Sequence, residues 1–368
     1  MTRRPNPISI PRNAPAARLR AVVAAATALA CVPTGFAQSN VRCWGDDAWG
    51  ACTVPASMGT SVAVAAGWRH SVAVTAAGSV RCWGDNASGQ CSVPAGLGAA
   101  RAVAAGAFHS VALLEDGSVR CWGLNSDGQC TVPAGLGPVA QVDTFFSHTL
   151  ALTVGGAVRC WGRNDLGQCV VPPDLRVAVA IGAGAYHSGA VASDGSVRCW
   201  GGNDSGQSSV PGGVGPAVAV APGRYHTVAL EASGGVRCWG LNADGQCTVP
   251  AGLGPVLAVD AGVHHTVALT AAGAVRCWGR NDFGQCSVPG SLPIASAIAA
   301  GYWHNAAVRS SCDADVNRDG SVDGSDIVPL LSEWGPVGPG GSWADIDRDG
   351  VIGGLDVAQL LGAWGECP

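Results

Sequence analysis

The sequence predicts an all-β protein, a seven-bladed β-propeller closed by its N- and C-terminal strands, with a small α-helical module behind it. Three observations predict this. The tripeptide Arg-Cys-Trp recurs seven times at a spacing of 39 residues, with its cysteines at Cys43, Cys82, Cys121, Cys160, Cys199, Cys238 and Cys277. A histidine series, His70, His109, His148, His187, His226, His265 and His304, keeps the same step. The ends of the array complement each other: the first Arg-Cys-Trp segment has no histidine segment before it, and the last histidine segment, 299–308, has no Arg-Cys-Trp after it. A ring in which one blade takes strands from both termini needs this; an elongated solenoid would show atypical capping repeats instead.

Within one unit, three short runs have strand character: 79–84 (SVRCWG), 102–106 (AVAAG) and 109–114 (HSVALL). Glycine, asparagine, aspartate and proline punctuate them, as expected of strands joined by tight turns. A fourth strand is expected around 90–94. No run has the length or apolar spacing of an amphipathic helix.

Residues 1–37 read as a secretory signal peptide. Arg3, Arg4, Arg12, Arg18 and Arg20 precede the apolar stretch 21–32, and Gly35-Phe36-Ala37 supplies small residues for cleavage after Ala37. The stretch is too short to span a bilayer. Cys31 is a weak match to a lipoprotein site, so lipidated and released forms both stay open. The expected organisation is signal peptide 1–37, propeller 38–310 and tail 311–368, in a secreted or extracellular chain with no membrane span. A net charge of −5, a pI near 5.9 and the absence of lysine argue against a nucleic-acid partner.

Six units contain C-x8-C: Cys43/Cys52, Cys82/Cys91, Cys121/Cys130, Cys160/Cys169, Cys238/Cys247 and Cys277/Cys286. In an exported chain such pairs read as disulfides. Zinc is the competing reading, but structural zinc takes C-x2–4-C spacing. Cys312 and Cys367 bracket the tail and are expected to pair, which leaves Cys199 free opposite Ser208.

The pattern A-x-G-x-x-H-S-V-A-L followed by G-S-V-R-C-W-G-x-N-x-x-G-Q resembles the regulator of chromosome condensation repeat family over roughly residues 41–310. The resemblance implies a seven-bladed propeller. Its members include exchange factors for a Ran-type small GTPase, many bacterial proteins of unknown role, and a propeller that inhibits β-lactamases. This sequence departs from the family in placing cysteine after Gly-Gln, where leucine is usual.

In the tail, Asp315, Asn317, Asp319, Ser321, Asp323 and Asp326 hold positions 1, 3, 5, 7, 9 and 12 of an EF-hand loop, with Gly320 at position 6. Thirty residues on, Asp345, Asp347, Asp349, Val351 and Asp356 repeat the frame, with Gly353 at position 9. Oxygens at alternate positions converge on one hard cation, so two Ca2+ sites are expected. Each loop runs into an apolar segment, 327–334 and 357–364. This duplicated loop–helix unit resembles a type I dockerin, which implies a cohesin-like or cell-surface protein as partner, often in polysaccharide-degrading assemblies. The partner-reading positions would be Gly324, Ser325, Gly354 and Leu355; they lack the usual hydroxyl pair.

On the propeller, the seven histidines sit at equivalent strand starts and are expected to be buried structural groups rather than a catalytic or metal ring. The residues just before them are more varied. Trp68, Arg69, Phe108, Phe146, Tyr186, Arg224, Tyr225, His264, Tyr302 and Trp303 should gather at one level of the ring. Two readings stand: a face that binds a protein or glycan, or packing between blades. No nucleophile–base set and no carboxylate pair for glycoside chemistry can be assigned. The expected function is therefore a secreted, non-catalytic binding or scaffold protein tethered through its tail. Its rivals are a polysaccharide-active hydrolase or lyase and, in conflict with export, a small-GTPase exchange factor.

Overall fold

The computed structural model describes residues 39–175, 177–290, 292, 294–309, 321–322, 324–336, 344–346, 351–362 and 365–366. The signal-peptide reading, Cys312, Cys367 and most of the calcium-loop residues lie outside them.

The fold is all-β, repetitive and propeller-like. Six sheets follow one another as inner, middle and outer strands: Ser61–Ala66, His70–Thr75 and Val80–Gly84; Ala100–Ala105, His109–Leu114 and Val119–Gly123; Val139–Thr144, His148–Thr153 and Val158–Gly162. The pattern continues with Ala178–Ala183, His187–Ala192 and Val197–Gly201; Ala217–Pro222, His226–Glu231 and Val236–Gly240; Val256–Ala261, His265–Thr270 and Val275–Gly279. In the seventh sheet Ala295–Ala300 and His304–Arg309 take their outer strand, Val41–Gly45, from the other end of the chain. Val41 lies opposite Val308 and Gly45 opposite His304, the register that Val80 and Gly84 keep against Val74 and His70.

The sequence expectation fails at the fourth strand. Segment 90–94 is a turn: Asn86 accepts the Cys91 N–H at 2.8 Å, and Ser92 N–H donates to the Gly89 carbonyl at 3.0 Å. Its backbone donors are thereby committed to the turn and cannot join a ladder. Inner strands also begin two residues earlier than expected, at Ala100 in the second unit.

Middle strands are buried along almost their whole length, since sheets pack on both faces, and so read as apolar runs without alternation. Outer strands alternate: in Val80–Gly84 the valine and tryptophan are buried while Arg81 is exposed. Six of the seven arginines of the tripeptide are exposed, and Arg42 is half-buried. Each tryptophan packs into the neighbouring sheet, as Trp122 does beside Ala63, Val72, Val80 and Val103. Inner strands are rich in alanine, and this small side chain lets seven sheets converge around an axis.

One set of hydrogen bonds repeats between every adjacent pair of sheets. The Gln90 carbonyl accepts the Trp122 indole N–H at 2.9 Å and the Ser110 hydroxyl at 2.8 Å. That hydroxyl has spent its proton, so it accepts the Nε2–H of His70 at 3.0 Å. His109 is held likewise by Thr149, His148 by Ser188, His187 by Thr227 and His226 by Thr266. Asn305 does the same work for His265: its amide N–H donates to the Gln285 carbonyl at 2.6 Å and its oxygen accepts from the ring at 2.8 Å. His304 returns to Ser71 at 3.0 Å, linking the last histidine to the first unit. The sequence expectation of a buried structural histidine holds, with its partner on the next sheet's strand rather than in a turn. Glycine three residues earlier makes room for the ring: a Cβ on Gly67 would stand 2.5 Å from His70 Cε1.

The C-terminal residues add two helices, α1 (Gly324–Ser332) and α2 (Gly354–Gly362), around a small core of Val322, Leu330, Ala344, Ile346, Ile352 and Leu360.

Burial lowers all seven histidines to about 3 or 4, and for most of them a neighbouring histidine adds to the effect. They are neutral when folded but charge below about 6.5 when unfolded, so the unfolded chain binds more protons and stability falls as pH drops from 6.5 toward 4. Acid titration followed by circular dichroism should show one cooperative loss in that window. Ser110→Ala should cost about 2–4 kcal/mol, because it strands both the His70 Nε2–H and one Gln90 bond. Ser110→Thr, the residue used in other units, should cost under about 1 kcal/mol. Urea denaturation distinguishes the two, and equal costs would count against the relay.

Candidate functional site

Two loops from every sheet meet at one end of the fold: the turn between inner and middle strands and the turn after the outer strand. They are tied by a backbone bond, as in Asp85 N–H to Arg69 O at 2.9 Å and Leu124 N–H to Phe108 O at 2.8 Å. Close approach requires the glycine after each tryptophan. Gly84 has φ +100°, and a Cβ there would stand 2.5 Å from the Arg69 carbonyl oxygen.

The residues before the histidines do gather. Trp68, Phe108, Phe146, Tyr186 and Trp303 are half-buried around a buried centre of Ala107, Phe145, Ala185, Val263 and Tyr302. Tyr302 stacks on Phe145 at 4.8 Å and on Trp68 at 5.4 Å between ring centroids. Only 6% of Tyr302 is exposed, and no group among the described residues pairs with its hydroxyl. Burial raises it well above the ordinary tyrosine range.

Around this hub, arginines lie over rings. Arg69 sits 4.2 Å from Trp49 and 4.6 Å from Trp68; Arg224 sits 5.0 Å from Tyr225. Arg163 lies 5.7 Å from both Phe146 and Tyr186, and Arg280 5.4 Å from Trp303. Arg163 and Arg280 are neutralised by Asp165 and Asp282. His264 stacks on Trp303 and meets Asp244 at 2.9 Å, and burial lowers its basicity.

Sequence reasoning missed three members of this face. Trp49 and Phe283, 49% and 47% exposed, and Leu166 occupy one equivalent place in the loop after the outer strand. The signal was available: elsewhere that place holds serine or aspartate. Phe145 was missed too. It replaces the glycine that precedes the histidine in the other units, and it carries a ring to the axis.

Inner strands enclose an axial cavity of about 70 Å3. Asp143 and Asp260 line it, three units apart at equivalent places. Each carboxylate accepts two backbone N–H groups, from Ala183 and Thr144 and from Ala300 and Ala261, at 2.8–2.9 Å. Burial nevertheless raises Asp143 to about 7, with Asp260 adding to the effect, and burial raises Asp260 to about 6. Sequence reasoning did not single out these two acids; the sign was an acid in a strand position otherwise held by alanine or glycine. The volume decides its chemistry. Small-molecule sites run to roughly 300–1,000 Å3, so this cavity holds several waters and not a sugar ring.

Of the six expected disulfides, Cys121–Cys130, Cys160–Cys169 and Cys238–Cys247 are bonded. Cys43 and Cys52, Cys82 and Cys91, and Cys277 and Cys286 stand side by side at the same place in their units as unbonded thiols. Mutual hydrogen bonding raises Cys52 and Cys82, while burial leads for Cys277. Their sulfurs are in contact, in the same placement within the unit as the bonded pairs. Cys199 is a thiol, pushed up to about 12 by burial, and Ser208 bonds to the Gly202 carbonyl at 2.8 Å.

In the tail, Asp326 and Asp356 are buried in the first turns of α1 and α2. Asp356 accepts N–H bonds from Ile346 at 2.6 Å and Gly353 at 2.7 Å. Val351 is exposed, Asp345 half-buried, and Ser321 begins a short strand. Gly324, Gly354 and Leu355 are exposed and Ser325 lies within α1. The remaining expected ligands, Asp315, Asn317, Asp319, Asp323, Asp347 and Asp349, lie outside the described residues.

A family model matches stretches 62–90, 100–129, 141–168, 178–207, 217–246 and 256–285, each taking in an inner, a middle and an outer strand and reaching the glutamine of the relay. Six units of this chain are Regulator of chromosome condensation (RCC1) repeats. The sheet that joins Val41–Gly45 to His304–Arg309 and Ala295–Ala300 lies outside the matched stretches. Solved structures share the fold. Prp20p of Saccharomyces cerevisiae, studied for its binding to Gsp1p and histones, is 16% identical with TM-score 0.63, over 74% of this chain and 92% of that one. Human WBSCR16 is 20% identical with TM-score 0.64, over 74% and 99%. The CRINKLY WD40 ectodomain of the Arabidopsis thaliana receptor kinase ACR4 is 24% identical with TM-score 0.54, over 67% and 92%. No curated protein matches the chain. Among the described residues no helix is long and apolar enough to cross a membrane.

The axial acids give a signed expectation. Their folded pKa values exceed the unfolded value, so they favour the folded state below about pH 4 and lose that contribution as pH rises through 6 to 7. The stability difference between wild type and the pair Asp143→Asn/Asp260→Asn should change by on the order of 2 kcal/mol between pH 4.5 and 7.5, moving toward the variant. Thermal unfolding across that range measures it; parallel curves would mean both acids stay ionised.

Proposed function

We propose that this chain is a secreted, non-catalytic binding and scaffold protein. In this reading the RCC1-type fold is a closed seven-bladed propeller that presents its arginine–aromatic face to a partner. The observation that carries the reading is that face: exposed Trp49 and Phe283, stacked guanidiniums, and a rigid buried hub. Tryptophan, tyrosine and arginine are the residues that concentrate binding energy at interfaces. Protein binding recorded for Prp20p supports a protein partner. Closure is supported by the pairing of the two ends and by the His304–Ser71 bond. Three cystines fit an exported chain.

The tail acts as a calcium-dependent, dockerin-like tether. The two loops offer only oxygen donors, and the two described position-12 acids sit where a loop–helix frame needs them, which fits a hard cation. Asp315, Asn317, Asp319, Asp323, Asp326 and the Ser321 carbonyl would hold one Ca2+; Asp345, Asp347, Asp349, Asp356 and the Val351 carbonyl would hold the other. Bound calcium would neutralise the carboxylates and allow the tail to fold. Val328, Leu331, Leu355 and Leu361, each more than half exposed, give the two helices an apolar surface for a cohesin-like or cell-surface partner.

Protein and glycan arrays probed with the full chain test the face. Retention should drop at least about tenfold in Trp49→Ala/Phe283→Ala with the melting temperature unchanged, since both residues are exposed. Turnover of an arrayed glycan would overturn the non-catalytic reading. Calorimetry tests the tail: chelator, or Asp319→Ala with Asp349→Ala, should abolish one calcium-dependent transition and leave the propeller transition in place. Equal shifts of both transitions would sink the tether.

A further inference from the structure

All three tyrosines of the chain converge on one arginine. Tyr186 and Tyr225 lie 5.4 Å apart between ring centroids, and the Arg224 guanidinium stands over both, at 6.0 and 5.0 Å. Burial opposes its charge, but the Tyr225 and Tyr186 phenols outweigh that and hold it above its ordinary range. Unlike Arg163 and Arg280, Arg224 has no carboxylate partner among the described residues. The third tyrosine, Tyr302, is the independent sign of a ligand: its hydroxyl is buried, has no partner among the described residues, and has Tyr186 and Arg224 as electrostatic neighbours.

A buried donor without an acceptor costs free energy unless a ligand supplies one. A guanidinium without a counter-ion, ringed by phenolic O–H groups, is complementary to a planar oxyanion. We propose that Arg224, Tyr186, Tyr225 and Tyr302 form a carboxylate-binding site in the hub of the face, filled by an acidic side chain of a protein partner. Access selects the side chain. Tyr302 is only 6% exposed and its hydroxyl is buried among the rings, so a carboxylate that parts them to meet it sits on a slender flexible stem and not on a bulky pyranose ring. The surrounding loops carry Asp46, Asp85, Asp127 and Asp204, which repel a uniformly anionic polymer, so the partner presents an isolated acid among neutral residues.

The site rests on the binding-face reading but fails separately from it. An array of random dodecapeptides, and a copy with every Glu and Asp replaced by its amide, is probed with the full-length protein and its variants. Wild type should retain acidic peptides about tenfold more strongly than their amide copies, the scale of one charged hydrogen bond. Tyr302→Phe keeps the ring packing and removes only the hydroxyl; it should erase most of that preference, as should Arg224→Gln. Retention that is equal for acid and amide copies but lost in Trp49→Ala would keep the face and overturn the site. Selective retention of oligogalacturonate, abolished by Tyr302→Phe, would overturn the side-chain occupant. A preference that survives both Tyr302→Phe and Arg224→Gln would overturn the assignment of residues.

Discussion

A single carbonyl oxygen in each unit, that of Gln90 and its equivalents, carries the fold. It accepts the next sheet's indole N–H and its hydroxyl, and through that hydroxyl it orients a buried imidazole. Three donors that would each be costly to bury, an indole N–H, a hydroxyl and an imidazole Nε2–H, are satisfied together, and the cost of losing one is the stranding of the others. The buried place of the histidines and the glycine that makes room for six of the seven rings go with that bond set. Hydrophobic packing between sheets provides the bulk of the driving force, but it is tolerant of slippage; the relay is not.

Against so regular a frame, chemistry accumulates where the repeat is broken. Aspartate stands for alanine at Asp143 and Asp260 and produces two carboxylates in a cavity of about 70 Å3. Phenylalanine stands for glycine at Phe145 and plugs the axis beneath Tyr302. Trp49 and Phe283 stand for serine or aspartate and put rings at the rim. None of these changes disturbs a strand, because each falls at the axis or in a loop. The scaffold absorbs variation at its axis and in its loops and refuses it in between.

Much of this was legible in the sequence. Strict periodicity gave the strands, and the unmatched ends of the array gave the pairing of Val41–Gly45 with His304–Arg309. The face was legible as a set of equivalent positions, since residues at one phase of a repeat share one level of the fold. Its depth was not: nothing local says that Tyr302 is buried while Trp303 beside it is half-buried, because that depends on Phe145 from a sheet far away in the chain. The axial acids were hidden for a related reason. Two aspartates 117 residues apart come to line one cavity only through the packing of the inner strands. The expected fourth strand failed because a Gly-Gln-Cys run with strand-forming neighbours is held by Asn86 as a turn, and capping by a side chain is invisible to apolar periodicity.

The sheet that joins the two ends of the chain has a consequence for the order of events at synthesis. Among the described residues Val41–Gly45 is the first strand made, and it has no ladder partner until His304–Arg309 emerges, more than 250 residues later. Until then a nascent chain carries an open strand edge at its start, and six self-contained sheets can form behind it. At the rates of translation this is a delay of tens of seconds, long beside the microseconds to seconds in which small domains fold. The first strand of the array is therefore the last to gain its ladder partner, and whatever guards the growing chain must guard that strand longest.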